Sequence, residues 1–290
     1  MRILYLHPKS WSGEYSMLVK LSSMGHQVCV LEERRGLVPS RWAETRDFEK
    51  PGDDIATCWY DPGRGWEKLA TWPFDRFFKR GFEGRNMVHR MWMIARAVRH
   101  FQPDAIICSD GFSFAVPASL LKQLAVIDTP LLVSYIGGDL LDCPHAEYGR
   151  SRAGMTGRLL RRSFDGIDML RPVSPMLGDI LLGDGVAASR IRVCPSHLVA
   201  SAAALARIRQ QRDSTRMQVR ERWGIPVGAP TIVTLSTNIK AKGLHVLAQS
   251  WKAVMAAVPE ARWLLCGPES AWLKEQVLPV LDQDGIAGSV

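Results

Sequence analysis

Three groups of residues have the types and setting to do chemistry. The first is Lys242-Gly243, with Lys240 two residues earlier, in a polar loop between a β-branched run and an apolar pattern at helical spacing. A lysine at a helix start sits where the backbone dipole already attracts anions, so the chemistry it points to is phosphate binding. A solvated loop lysine is the alternative. The second group is Asp110 in Ser-Asp-Gly and Asp139 in Gly-Gly-Asp, each just past an apolar run, with His7 at the end of the first such run. A carboxylate in that place holds a substrate hydroxyl or caps an Asx-turn, and the two readings stand level. His7 either contacts substrate or packs in its loop, the latter being favoured. The third is the Ser12-Gly13 turn, a short version of a phosphate-approaching glycine loop; a full G-x-G-x-x-G is absent. No Ser-His-Asp or Cys-His arrangement and no spaced His/Cys cluster stands out, so neither nucleophilic catalysis nor a metal site is read from the chain.

These residues need elements to position them. Thr231 to Leu235 reads as a buried strand. Leu244, Leu247, Ala248, Trp251, Val254, Met255 and Val258 then recur at helical spacing, and Pro259 ends the helix. Trp263 to Cys266 reads as a second strand, closed by Gly267-Pro268. Strand, helix and strand in that order make a βαβ unit with parallel strands, whose first loop opens at the carboxyl edge where α/β proteins bind ligands. The first two thirds of the chain repeat the pattern. Strands are expected at Arg2–Leu6, Val28–Leu31, Ala105–Cys108, Leu131–Ile136, Met169–Val173 and Arg190–Cys194. Helices are expected at Glu14–Met24, Glu83–Phe101, Val116–Ala125 and Arg158–Phe164, with another starting at Ser174-Pro175. Alternation of this kind predicts a doubly wound parallel sheet.

Composition sets the outer limits. The chain has 290 residues, 47% of them apolar and 23% charged, which is ordinary for a globular protein. No run approaches the ~18 unbroken apolar residues of a membrane helix, and the N-terminus reads directly as a strand rather than a secretory leader. Six cysteines without C-x-x-C spacing read as reduced structural thiols of a cytosolic protein. The net charge of +8 fits an anionic membrane face, phosphate-bearing ligands or nucleic acid, and equally plain solubility. Residues 33 to 82 read as irregular, and from Trp59 to Phe82 aromatics interleave with basic residues. That segment, with the inward face Met87, Val88, Met91, Trp92, Ala95 and Val98 of the helix after it, either packs as core or docks on an anionic surface. Six arginines between Arg207 and Arg222 face only Asp213 and Glu221, and read as a solvated, basic helical connector.

The ordered set of motifs resembles the GT-B glycosyltransferases, specifically the retaining family 4 group that uses nucleotide-sugar donors. Four matches carry it. They are the Ser-Gly loop with the second strand in Gly25 to Leu31, PDAIICSDG into LLVSYIGGD, SFDGIDMLRPVSPMLGDIL ending in SRIRVCPS, and Lys242-Gly243 followed by WLLCGPE. The resemblance implies two Rossmann-like domains with the second incomplete: an acceptor-side domain over 1–199, a connector over 200–228, and part of a nucleotide-sugar-binding domain over 229–290. It implies a site in the interdomain cleft. Lys242, Gly243, Lys240, Thr237, Gly13 and Ser12 would lie by the donor phosphates and Gly267 by its nucleotide, with Asp139, Asp110 and His7 on the acceptor side. It implies a UDP- or GDP-linked sugar as co-substrate, no metal or other cofactor, a glycan or lipid-linked acceptor, and a cytoplasmic place with peripheral contact to the membrane's inner face.

The chain departs from the family pattern in places. Thr237 stands where the family has an arginine, and Ser196-His197 where it has asparagine-glycine. The paired glutamates that contact the donor would lie beyond Val290, so the expectation is a fragment of weak or no activity. A binding protein completed by another chain, or a sugar-nucleotide epimerase on the same fold, are the alternatives.

Overall fold

The computed structural model describes residues 1–7, 12–33, 56–60, 73, 87–149, 152–196, 202–237, 239–283 and 285–290. For residues 7, 12–16, 32, 33, 56–60 and 202 it describes the backbone alone. Contacts divide the chain into a first unit, Met1–Cys143 with Gly149–Val199, and a second, Pro144–Tyr148 with Ala200–Val290. No helix among the described residues is long and apolar enough to cross a membrane.

The first unit is built on a parallel sheet. Its strands are β1 (Arg2–His7), β2 (Gln27–Glu33), β3 (Ala56–Tyr60), β4 (Ala105–Cys108), β5 (Leu131–Tyr135) and β6 (Met169–Pro172). Their order is β3-β2-β1-β4-β5-β6, every neighbouring pair parallel. A parallel strand covered on both faces reads as a continuous apolar run, which is why RILYLH carries no polar alternation. Leu4 and Leu6 point into the main core, with Ile106, Cys108, Val133 and Leu170. Tyr5 points the other way, against Leu18, Val28 and Val30.

The helices are α1 (Ser12–Ser23), α2 (Met87–Phe101), α3 (Ala115–Gln123), α4 (Gly154–Ser163) and α5 (Pro175–Gly183). α5 starts where its Ser-Pro pair predicts: Leu177 N donates to Ser174 Oγ at 3.4 Å and Pro175 opens the first turn.

Several expectations are corrected. The segment read as irregular contains β3, which pairs with β2 from Cys29↔Ala56 to Glu33↔Tyr60. Its short ATCWY run is too brief to show a period among the surrounding glycines and prolines. The rest of the aromatic-basic stretch after Tyr60 lies outside the described residues, except for Pro73. α2 turns the expected face inward in part: Met87 is buried and Met91, Ala95 and Val98 pack against the core, but His89, Arg90, Ile94 and Ala97 are buried too, and Trp92 is exposed. Arg90 is accommodated there because its guanidinium lies 5.1 Å from the Phe114 ring and donates to Ser113 O at 3.2 Å. The strand expected at Arg190–Cys194 is only a bridge, Ile191 to Leu170, with Arg192 N and Cys194 N donating to the carbonyls of Leu170 and Pro172. Pro172 has no N–H to return a bond, so a full ladder does not form.

The second unit carries α6 (Ala202–Gln210) and α7 (Arg212–Arg222), then β7 (Thr231–Leu235), α8 (Leu244–Ala257), β8 (Arg262–Cys266), α9 (Ala271–Gln276) and α10 (Leu278–Gln283). β7 and β8 are parallel, in register from Thr231↔Arg262 to Leu235↔Cys266. The core centres on Trp251 and Trp263, whose rings lie 5.6 Å apart, with Leu244, Ala248, Ala261, Leu273, Val277 and Leu281. Each indole N–H is satisfied, to Ser289 Oγ and to Thr234 Oγ1, both at 2.9 Å.

β7 is not the buried strand its composition predicts: Ile232, Val233 and Leu235 are 41%, 60% and 83% exposed. Among the described residues it pairs on one side only, with β8, so its apolar side chains lack the cover that a central strand receives. The arginine-rich segment is also not wholly solvated. Arg220 is buried and donates to Pro226 O, to Ala229 O at 2.9 Å and to Thr231 Oγ1 at 3.2 Å, which fastens α7 to the start of β7.

Because this second core is small, Trp251→Ala is expected to destabilise it by about 3–5 kcal/mol in urea titration. Trp251→Phe, which keeps an aromatic ring but loses the indole N–H bond to Ser289, is expected to cost less, about 1–2 kcal/mol. Equal losses for the two would show that ring packing is not the dominant contribution.

Candidate functional site

In a doubly wound sheet all strands end at one edge, and the loops there build the site. The order of the first sheet reverses between β1 and β4, so the switch point lies where His7 ends β1 and Ser109 follows β4. Ser109 N donates to Leu6 O at 3.4 Å across that point. The backbone of His7 ends β1 there. Ser12 and Gly13 are not in a loop, as the sequence reading had them, but form the first turn of α1. A helical first turn satisfies the φ/ψ pattern without a glycine pair and presents N–H groups that have no helical partner.

Asp110 and Asp139 stand in the next two loops along the edge. Asp110 Oδ1 accepts from Phe112 N at 2.8 Å and also from Ser113 N, an Asx-type arrangement that turns the chain into α3. Asp139 is buried and joins two loops: Oδ2 accepts from Gly111 N and Oδ1 from Gly137 N, both at 3.0 Å. The Gly-Gly-Asp triplet makes this possible, because Gly137 has φ 130°, a conformation side-chain-bearing residues rarely adopt. Each carboxylate oxygen of Asp139 therefore has one backbone donor, and the residue holds the β4 and β5 loops together from inside.

Sequence reasoning missed Tyr135 and Gly111, which complete this cluster. Tyr135 ends β5 fully buried, its ring edge-on to Phe164 at 6.1 Å and its hydroxyl without a protein hydrogen-bond partner. A Cβ on Gly111 would sit 2.4 Å from that ring and 2.5 Å from Asp139 Oδ2. The visible signal was Ser-Asp-Gly itself, whose glycine serves close approach rather than a turn. Burial raises the Tyr135 phenol well above its ordinary value, and the charges of Asp139, Cys108 and Asp110 push the same way against Arg190. Burial also raises Asp139 from 3.8 to about 6, with the Asp110 charge adding to it and the amides of Gly137, Asp139 and Gly111 opposing it.

In the second unit the carboxyl edge of β7 and β8 gathers the other group. Ser236 N donates to Cys266 O at 3.0 Å, setting the chain into Thr237 beside the exit of β8 at Gly267, where φ is 155°. Lys240 to Lys242 form one 3-10 turn, and Gly243, left-handed at φ 72°, is the N-cap of α8. Lys242 is exposed at the mouth of that 14-residue helix. Lys240 Nζ instead reaches Glu147 Oε1 at 3.3 Å within the same unit. Thr237 is exposed as well. His245, in the first turn of α8, was also missed. Its ring stands edge-on to Trp272 at 5.7 Å and its buried Nδ1 has no protein partner. Glu269 pairs with Lys274 at 2.5 Å, which holds its carboxyl below the usual range. Among the described residues no three His, Cys, Asp or Glu gather as a metal site.

Thus the structure places Thr237, Lys240, Lys242, Gly243 and Gly267 at one sheet edge. It places His7, Asp110 and Asp139 at the edge of the other sheet, with Ser12 and Gly13 opening the helix after β1. A lysine beside a glycine-capped helix N-terminus gathers positive charge, which is the chemistry that attracts an anionic ligand.

The comparisons agree on the class. The chain belongs to the glycosyl transferase 4-like domain family, whose family model matches residues 15–197. Its fold is GT-B-like, with Rossmann-like α/β units. A structure of HepE from Anabaena in complex with UDP and glucose is similar at TM-score 0.63 and 14% identity, covering 100% of this chain and 68% of that one. A glycosyltransferase from Rickettsia africae is similar at TM-score 0.62 and 14% identity, with 99% and 66% covered. UDP-GlcNAc 2-epimerase from Neisseria meningitidis bound to UDP-GlcNAc follows at TM-score 0.54 and 10% identity, with 98% and 70% covered. The chain thus spans about two thirds of the length of these proteins. No curated protein matches it in sequence.

The raised Asp139 has a measurable consequence. The fold holds this proton more tightly than the unfolded chain does, so the group's contribution to stability is full below pH 3.8 and is lost as pH rises through about 6. Asp139→Asn removes that dependence. Its stability deficit against wild type, from urea unfolding, is expected to shrink between pH 4 and pH 7 by on the order of 2–3 kcal/mol. A deficit constant across the range contradicts a buried ionisable carboxyl here.

Proposed function

We infer that the chain binds a nucleoside diphosphate sugar at the carboxyl edge of β7 and β8 and is a glycosyltransferase that moves a hexose or related sugar. The observation that carries this reading is Lys242-Gly243 at the mouth of α8. When a glycosidic bond to a diphosphate breaks, negative charge grows on the departing phosphate oxygens. A cation at the positive end of a helix dipole stabilises that charge more than it stabilises the intact donor, and only such differential binding lowers the barrier. The left-handed Gly243 lets the chain pass directly from the lysine into the helix, so the lysine stands at the positive end of the helix dipole.

The UDP, UDP-glucose and glucose ligands of the similar HepE structures support a UDP-linked hexose as the donor class. Gly267, without a side chain beside Ser236, leaves room for the nucleotide, while Lys240 and Thr237 border the phosphates. The first unit, with His7, Asp110 and Asp139 at its sheet edge and Ser12-Gly13 opening α1, is assigned to the acceptor side, a glycan or lipid-linked sugar. Retention of anomeric configuration and a place at the cytoplasmic face of a membrane follow from the family resemblance. No metal ion is assigned a part, because lysine and helix amides supply the positive charge.

An epimerase shares the fold, but the family match favours transfer over epimerisation. The two differ in their products: a transferase releases UDP in proportion to acceptor glycosylated, and an epimerase releases none of it with product. In calorimetric titration the chain is expected to bind UDP, and Lys242→Ala to weaken that binding about tenfold, the scale of one charge-assisted contact of ~1.5 kcal/mol. Unchanged affinity in Lys242→Ala would remove the phosphate role.

A further inference from the structure

Between Cys143 and Gly149 the chain belongs to the second unit for five residues, Pro144–Tyr148, before it returns to the first. The excursion is a hairpin. Its arms, Asp142–Cys143 and Tyr148–Gly149, pair as a two-stranded sheet, and a 3-10 turn over Pro144–Ala146 joins them. The base is firmly held. Gly149, at φ 92°, lies so close to Leu141 that a Cβ on it would stand 1.9 Å from the Leu141 carbonyl oxygen. Asp142 Oδ2 accepts from Arg152 N at 2.9 Å, and Arg152 Nη1 donates to Leu140 O at 3.1 Å. The tip is held by less. Pro144, His145, Glu147 and Tyr148 are all exposed, and Glu147 has φ 52°, a left-handed conformation that a residue with a Cβ adopts only at a cost. Charge offsets that cost: Glu147 Oε1 accepts from Lys240 Nζ at 3.3 Å. Among the described residues, Pro144–Tyr148 makes no other side-chain hydrogen bond or ion pair.

Lys240 opens the 3-10 turn that ends at Lys242, one residue before the cap of α8. Glu147 therefore sets a carboxylate on one of the two cations of that loop. The pair is open to solvent, at 36% and 69% of the two side chains, so it is a weak contact. As a fastening it does little, but a contact of that strength is readily exchanged for another anion. We propose that Glu147 is a built-in competitor for the donor's diphosphate: it occupies Lys240 in the free chain, and the donor phosphates displace it. The exchange trades one carboxylate charge for the higher charge of a diphosphate and releases the strained tip of the hairpin. A ligand that brings too little charge to Lys240 does not displace the glutamate, so Glu147 favours diphosphates over weaker anions. The proposal rests on the assignment of the Lys242 loop to the donor phosphates and adds to it a residue that sets how tightly they bind.

The test is calorimetric titration of the full chain with UDP, together with hydrogen exchange over residues 144–148. Glu147→Gln keeps the length of the side chain and removes its charge. It is expected to bind UDP about two- to fivefold more tightly than wild type, the scale of one exposed ion pair. In a Lys240→Gln background the same substitution is expected to gain nothing, because the competition it relieves is gone. Glu260→Gln removes an equal charge from an exposed position just before β8, at the opposite end of that strand from Gly267, and is expected to leave affinity unchanged. Exchange over 144–148 is expected to quicken when UDP is added to wild type. Unchanged or weaker UDP binding in Glu147→Gln, with Lys242→Ala still impaired, overturns the competition and leaves the donor site standing. A gain that persists in Lys240→Gln, or appears equally in Glu260→Gln, reduces the effect to net charge and also overturns it. UDP bound by neither wild type nor Glu147→Gln overturns both readings.

Discussion

Strands that all run one way cannot be joined by hairpins, so each connection must cross a face of the sheet. This constraint governs the whole first unit. It buries both faces of β1, whose Leu4 and Tyr5 point to opposite cores, and it brings every strand's exit to the same edge. Residues a hundred positions apart, such as Leu6 and Cys108, become neighbours in register without any local signal. The same rule applied to β7, α8 and β8 sets Lys242 and Gly267 at one edge of the second sheet.

At that edge of the first sheet, polar groups hold the loops rather than project from them. Asp139 is the clearest case, with one amide from each of two loops on its two oxygens and no room beside it for a side chain at Gly111. Such an arrangement rigidifies the edge of the sheet at the cost of burying a carboxyl, whose pKa is raised to about 6. The second unit follows the opposite logic. Its lysine is exposed, the glycine after it supplies the turn, and the strand leading to it is little covered.

Much of this was legible beforehand because it rests on period and punctuation. The βαβ unit from Thr231 to Cys266, the Ser-Pro start of α5 and the lysine at a helix mouth follow from spacing and from residues with restricted or permissive backbones. What failed had a common cause. Trp92, the exposure of Ile232 and Val233, and the burial of Arg90 and Arg220 are decided by which neighbours arrive from elsewhere in the chain. A hydrophobic face can be read from a helix, but its rotation against a sheet cannot, and a strand's composition does not say how many strands will flank it.

By itself, then, the sequence determined the class of fold, the direction of its strands and the edge to which Asp110, Asp139 and Lys242 belong, because periodicity and connection handedness are local. The tertiary structure decided what those groups do there. It turned Asp139 inward as a bridge and set Tyr135 against Gly111. It drew Lys240 to Glu147 while leaving Lys242 exposed, and it pinned α7 by one arginine so that the others face outward. Hydrogen-bond partners and burial depend on groups remote in sequence, and only the packed chain brings those together.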